Sequence, residues 1–211
     1  AHRHKLASYL DKKMYCKYYG FSEKPFDVTP EPKFLFMTPG HREALASLTY
    51  SIQERRGFIT MVGDPGTGKT TLLRAAMQQL DKKTKFALIF HSDLPFGQVV
   101  LEILDELRVL KPGESLSKRL AVKRLVNFAI WLFARGGNLV IMIDEAQNFS
   151  AQTLENFRLI SNLESSKHKL IQFVLAGQPE LDLKLGDDRL KPFVQRINLK
   201  RYLKPLSRED T

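Results

Sequence analysis

The residues with the plainest chemical consequence are Gly63-Asp64-Pro65-Gly66-Thr67-Gly68-Lys69-Thr70, which fit G-x-x-x-x-G-K-[ST] between an apolar run and a helical stripe. Glycines at those places let the main chain curl until successive N–H groups converge on an anion. A helix starting near Lys69 adds its positive end to the same spot. Such a cradle suits a polyphosphate. Lys69 is spaced to reach the β- and γ-phosphates of a nucleoside triphosphate, and the Thr70 hydroxyl to ligate Mg²⁺, with Thr71 beside it. Far along the chain, Asp144 and Glu145 close the apolar run Leu139 to Ile143. They therefore emerge at the carboxyl edge of a sheet, where ligands sit in open α/β folds. Asp144 suits the coordination shell of the metal, through water, and Glu145 suits a general base or an orienting group for an attacking water.

These groups need strands and helices in alternation to carry them. Apolar residues Ala44, Leu45, Leu48 and Ile52 predict a helix over His41 to Gln53. Strands are expected at Phe58 to Val62, Phe86 to Phe90, Leu139 to Ile143, Leu170 to Leu175 and Ile197 to Arg201. Helices are expected over Lys69 to Leu80, Val99 to Leu107, Lys118 to Arg135, Ala151 to Leu163 and, briefly, Leu190 to Gln195, with a turn at Lys111-Pro112-Gly113. Leu139 to Ile143 is apolar throughout, as a central parallel strand is. Five strands alternating with helices predict an α/β domain with a parallel sheet. Ahead of it, residues 14–56 hold an aromatic, Pro-punctuated arm (Tyr18-Tyr19-Gly20-Phe21, Pro25-Phe26, Pro30, Pro32, Phe34-Leu35-Phe36), expected to be extended, and the first helix. Residues 1–13, polar and basic with His2 and His4, read as a tag or leader before a start at Met14. The core is expected over 57–205.

With 211 residues and 43% hydrophobic composition, a chain of this length buries roughly 70% of the surface its unfolded form exposes and needs no disulfide. The single Cys16 has no intrachain partner, which fits a cytosolic, reducing setting. Phe128 to Ala134, the longest nearly unbroken apolar run, is far short of the roughly 20 residues that cross a bilayer. Thirty-three Lys and Arg against 23 Asp and Glu leave a formal charge of +10 and a pI near 9.7. That balance admits nucleic acid, an acidic membrane face or a polyphosphate ligand. The cations are spread over Lys82, Lys83 and Lys85, over Lys118, Arg119, Lys123 and Arg124, and from Arg189 to Lys204, which is how a solvated basic surface looks.

The phosphate loop, the acidic strand end Asp144-Glu145-Ala146-Gln147 and the segment Ala176-Gly177-Gln178-Pro179-Glu180-Leu181 together resemble an AAA+ ATPase. More narrowly, Tyr19-Gly20-Phe21 with Pro25-Phe26, followed by His41-Arg42-Glu43-Ala44-Leu45, is similar to the ExeA/GspA-like secretion ATPases, a group with pilus-biogenesis and TniB-like transposition relatives. The resemblance covers about Met14 to Arg208. It implies ATP and Mg²⁺ as ligands, a sensor role for Gln178, and His41 and Arg42 near the adenine. It implies an arginine finger at Arg196, with Arg189 as the alternative. The helical lid of AAA+ proteins is expected to be absent, with residues 206–211 its truncated start. The activity implied is hydrolysis of ATP that drives assembly of a secretion or pilus apparatus, in a cytoplasmic chain whose full-length form is anchored at the inner membrane and self-associates into a ring or filament. A DNA-associated regulator of transposition, a P-loop kinase and a nucleotide-gated scaffold stand as alternatives. DNA-stimulated turnover separates the first of these, and ADP formation without an acceptor separates the second.

Overall fold

A computed structural model describes residues 16, 18–21, 36–90, 93–111, 113–162 and 169–207. The chain divides into two compact units, Ala1–Phe34 and Leu35–Thr211. In the first unit, Cys16, Tyr18 and Tyr19 are helical, which corrects the expectation of an extended arm at this point. The prolines that forbid a regular element begin only at Pro25. Gly20, at φ 71°, ends the turn in the left-handed region, and the Phe21 N–H donates back to the Cys16 carbonyl at 2.8 Å. The rest of the expected arm and the expected leader lie outside the described residues.

The second unit carries a five-stranded sheet, all pairs parallel, formed by β1 (Phe58–Gly63), β2 (Thr84–Ile89), β3 (Asn138–Ile143), β4 (Ile171–Gly177) and β5 (Ile197–Leu203). The spatial order is β2-β3-β4-β1-β5, so the chain crosses over between paired strands through helices on both faces. Those helices are α1 (Pro39–Gln53), α2 (Lys69–Gln79), α3 (Phe96–Glu106), α4 (Lys118–Ala134), α5 (Ala151–Ser161), α6 (Pro179–Leu185) and α7 (Lys191–Val194).

Alternate residues of each central strand point to opposite faces and each face has its own core. Phe58, Val62, Ile141, Ile143, Phe173 and Leu175 pack with α3, α4 and α5. Ile59, Met61, Val140, Met142, Val174 and Ala176 pack with α1 and α2. Burial on both faces explains why β1, β3 and β4 read as mainly apolar runs, with Thr60, Asn138 and Gln172 their buried polar residues.

The expected α/β fold with five parallel strands is the observed one. Strand ends shift by a few residues: β2 starts at Thr84 and stops before Phe90, which is 46% exposed, and β5 runs on to Leu203. The start of α1 moves for a local reason. Thr38 caps α1, its hydroxyl accepting from the His41 N–H, and Pro39 fills the first turn, so this helix begins ahead of its apolar stripe. Helix α6 was not expected at all. Pro179 opens it, Glu180 and Asp182 sit in its first turn, and Leu181 and Leu185 are its buried stripe.

Candidate nucleotide site

The loop from Gly63 to Gly68 leaves the carboxyl end of β1 and turns into α2. A Cβ on Gly63 would lie 2.8 Å from both the Leu203 carbonyl oxygen and Thr67 Oγ1, and Gly66 and Gly68 hold φ of 79° and 82°, so this path suits glycine at all three places. Gly68 is the N-cap of α2 and makes no side-chain capping bond, which leaves the first N–H groups of the helix aimed out of its positive end. Thr67 braces the turn, its hydroxyl donating to the Asp64 carbonyl at 2.8 Å. His41 braces it from α1. Its Nε2 is 2.9 Å from the Thr67 carbonyl oxygen, which only accepts, so Nε2 carries a hydrogen. Nδ1 lies 2.7 Å from the Thr38 hydroxyl.

Lys69 is 6% exposed and its ammonium donates to the carbonyls of Gly63 at 2.7 Å and Asp64 at 2.8 Å. The Thr70 hydroxyl donates to Asp144 Oδ2. Asp144 is 3% exposed at the end of β3, tied to β2 through its N–H on the Ile89 carbonyl at 2.9 Å. A hydroxyl and a buried carboxylate in contact are the hard oxygen donors Mg²⁺ takes from a protein when substrate phosphates and water supply the rest. The residues fit that ion.

Glu145 follows in the left-handed region at φ 54°, a conformation that costs a residue with a Cβ roughly 1–2 kcal/mol. Its Oε2 accepts from Gln147 Nε2 at 2.5 Å and from Gln178 Nε2 at 2.9 Å. Lys184 of α6 donates to the carbonyls of Gln147 and, at 2.5 Å, Phe149. The expected Lys69, Thr70, Asp144, Glu145 and Gln178 thus share one edge of the sheet. Gln147 and Lys184 join them without having been expected there.

Beside the loop, a cleft of about 420 Å³ is lined by Thr38, Gly40, His41, Ala44, Leu203 and Pro205, among others. Arg42 is exposed, its Nε on the Met37 carbonyl at 3.1 Å, and is not among the lining residues. A second cleft of about 520 Å³ lies across the segment Tyr202 to Pro205, between Gly63 and Leu183. Its rim carboxylate, Asp182, is pushed up by burial, but hydrogen bonds from Lys200 and Tyr202 outweigh this and hold it below its ordinary value.

Arg196 stands at the opposite edge of the sheet. Ile197 pairs with Phe58, the first residue of β1, whereas the phosphate loop begins at Gly63. Arg196 is exposed near Lys169, whose amine is lowered by burial first and by the Arg196 charge second. Arg189 is held by Asp187, with Nη2 to Oδ2 at 2.6 Å. That hydrogen bonding keeps the Asp187 carboxyl down at about 2.

A parallel sheet with this strand order, a glycine loop feeding a helix, and an Asp-Glu pair at the end of β3, with β4 between it and β1, define a P-loop ATPase fold of the AAA type. Residues 52–185 match the AAA domain family, and the chain belongs to that family. Over 197 residues, 93% of its length, it is 39% identical to general secretion pathway protein A of Aeromonas hydrophila, of which it spans 36%. Among solved structures, the ORC2 protein of Aeropyrum pernix in its ADPNP–ADP complexes superposes with a TM-score of 0.66 at 19% identity, over 88% of this chain and 52% of that one. CDC6P from Pyrobaculum aerophilum gives 0.66 at 20% identity, over 88% and 50%. The Walker-type ATPase PABY2304 of Pyrococcus abyssi gives 0.62 at 19% identity, over 89% and 59%. At these identities the likeness is one of fold. Among the described residues, no helix is long and apolar enough to cross a membrane.

Proposed function

We propose that the chain binds ATP with Mg²⁺ and hydrolyses it to ADP and phosphate. The observation that carries this is the meeting, at one sheet edge, of the Gly63–Thr70 loop, the Thr70–Asp144 pair and the Glu145–Gln178 hydrogen bond. The N–H groups of the loop, from Gly63 to Thr71, cradle the phosphates. Lys69 exchanges its bonds to the Gly63 and Asp64 carbonyls for phosphate oxygens, and His41 keeps the loop seated while it does so. Thr70 and Asp144 hold Mg²⁺, which when bound neutralises phosphate charge. Glu145 accepts a proton from the attacking water, and Gln178, beside it, donates to that water or to the γ-phosphate. The cleft bordered by His41 takes the adenine.

The kinship with general secretion pathway protein A supports a narrower role, in which ATP turnover drives assembly of a secretion or pilus apparatus on the cytoplasmic side of the bacterial inner membrane. In that role the full-length protein self-associates, with Arg196 of one copy completing the site of the next. The deciding measurement is on Glu145→Gln. The amide keeps the shape and loses the base, so Mg²⁺-dependent ATP affinity is expected to hold while turnover falls roughly 10²–10⁴-fold. ATP hydrolysis at the parent rate by this variant would refute the assignment of Glu145.

A further inference from the structure

Gln147 lies between the two groups that act on the water side of the phosphate. Its Nε2 donates to Glu145 Oε2 at 2.5 Å, and its Oε1 accepts the backbone N–H of Gln178 at 3.1 Å. One carboxamide thus uses both its ends. Turned round, it would set oxygen against carboxylate and N–H against N–H, so this orientation is the one in which both contacts attract. The Gln178 side chain donates to the same Glu145 oxygen at 2.9 Å, which closes a ring of three hydrogen bonds across the loops that follow β3 and β4.

The surroundings maintain the ring. A Cβ on Gly177 would lie 2.8 Å from Gln147 Oε1 and 2.9 Å from Leu181 Cδ2, so the last residue of β4 must be small for the Gln147 amide to reach the backbone behind it. Lys184 fastens the short helical turn Ala146–Asn148 to α6 through the Gln147 and Phe149 carbonyls. The left-handed Glu145 needs such support, because strained backbone persists only where its surroundings over-determine it.

We propose that Gln147 is a positioning residue for hydrolysis, a clamp that joins the carboxylate of Glu145 to the backbone of Gln178 so that base and sensor present one fixed geometry to the attacking water. The proposal rests on the roles given above to Glu145 and Gln178. Proximity of this kind is where much catalytic rate originates, and small displacements of the reacting groups forfeit it.

Gln147→Met keeps the length and volume of the side chain and removes both polar ends. It is expected to bind ATP within about twofold of the parent while kcat falls about 10–100-fold, the size usual for residues that orient a ligand from behind. In a Glu145→Gln background the same change should cost nothing more, since its effect passes through Glu145. The backbone amide of Gln178 should exchange its hydrogen about tenfold faster or more in nucleotide-free Gln147→Met. Gly177→Ala, which pushes the amide aside while leaving residue 147 a glutamine, should reproduce all three effects and serves as the test should Gln147→Met fail to fold. Parental turnover in Gln147→Met, or an equal loss in the Glu145→Gln background, would overturn the clamp. Should Glu145→Gln itself hydrolyse ATP normally, the base assignment has failed, and the Gln178 exchange rate alone decides: unchanged in Gln147→Met, there is no clamp.

Discussion

Lys69 is folded back onto the loop that carries it, two of its three N–H donors spent on the Gly63 and Asp64 carbonyls. Those bonds hold a nearly buried ammonium in place until a stronger partner arrives. Phosphate meets the ammonium with a full opposite charge where a carbonyl offers only a dipole, so the exchange runs toward bound nucleotide. Lys69→Ala is therefore expected to keep the fold and to lose about 3 kcal/mol or more of ATP binding, roughly 100-fold. Equilibrium titration with a fluorescent ATP analogue measures it, and parental affinity would count against the loop as the phosphate site. Lys69, Thr70, Asp144 and Glu145 were legible in the sequence because their motifs are local, the first two at a helix start after a glycine loop and the last two at a strand end. Gln147 was not. Its partners are 2 and 31 positions away, and they meet only because β3 and β4 pair in the register Leu139 with Ile171. His41 was expected at the base pocket and does border the cleft. Its two ring nitrogens, however, are engaged with Thr67 and Thr38, a bracing role that a lone histidine in a sequence does not reveal.

At the scale of elements, helix α1 ties the loop to the sheet, and its start is built from Thr38, Pro39 and His41. The Thr38 hydroxyl is shared between the His41 N–H and the His41 ring. Arg201 of β5 holds the next turn through Glu43 at 2.7 Å and Ser47 at 2.6 Å. Removing the cap with Thr38→Ala is expected to cost about 1 kcal/mol of stability. For a unit of this size that is roughly 2–4 °C in Tm, with the denaturant slope unchanged. Chemical denaturation followed by helix signal reads the free energy and the slope, a thermal scan reads Tm, and a loss below a few tenths of a kcal/mol would mean that the cap contributes little. The central strands were legible because burial on both faces makes them mainly apolar, Thr60 and Gln172 notwithstanding. Helix α6 escaped notice because seven residues with two buried leucines make too short a stripe to show a period. The strand order is likewise silent in the sequence, since parallel crossovers leave no local mark of which neighbour a strand chooses.

The whole molecule sets the phosphate loop and Arg196 at opposite edges of one sheet. β1 spans six residues, so at about 3.3 Å per residue the two lie roughly 17 Å apart along the strand direction. That distance is longer than one side chain can bridge, so an Arg196 that serves catalysis serves it in a neighbouring copy. Arg189, the alternative, is already committed to Asp187 through a two-pronged contact. An arginine supplied across an interface is worth roughly 10³–10⁵ in rate in GTPases, about 4–7 kcal/mol, enough to leave an isolated subunit nearly silent. Specific activity is therefore expected to rise with protein concentration. Arg196→Ala should lose that rise while keeping its ATP affinity, because its own phosphate site is untouched. Mixing separates the two halves of the site. Arg196→Ala subunits retain a working Glu145, Glu145→Gln subunits retain a working Arg196, and a mixed assembly should recover part of the activity that neither variant has alone. With mixed assembly verified by size and by differential labelling, a mixture no more active than its components would show that Arg196 does not act across the interface. Arg189→Ala would then be put through the same mixing experiment.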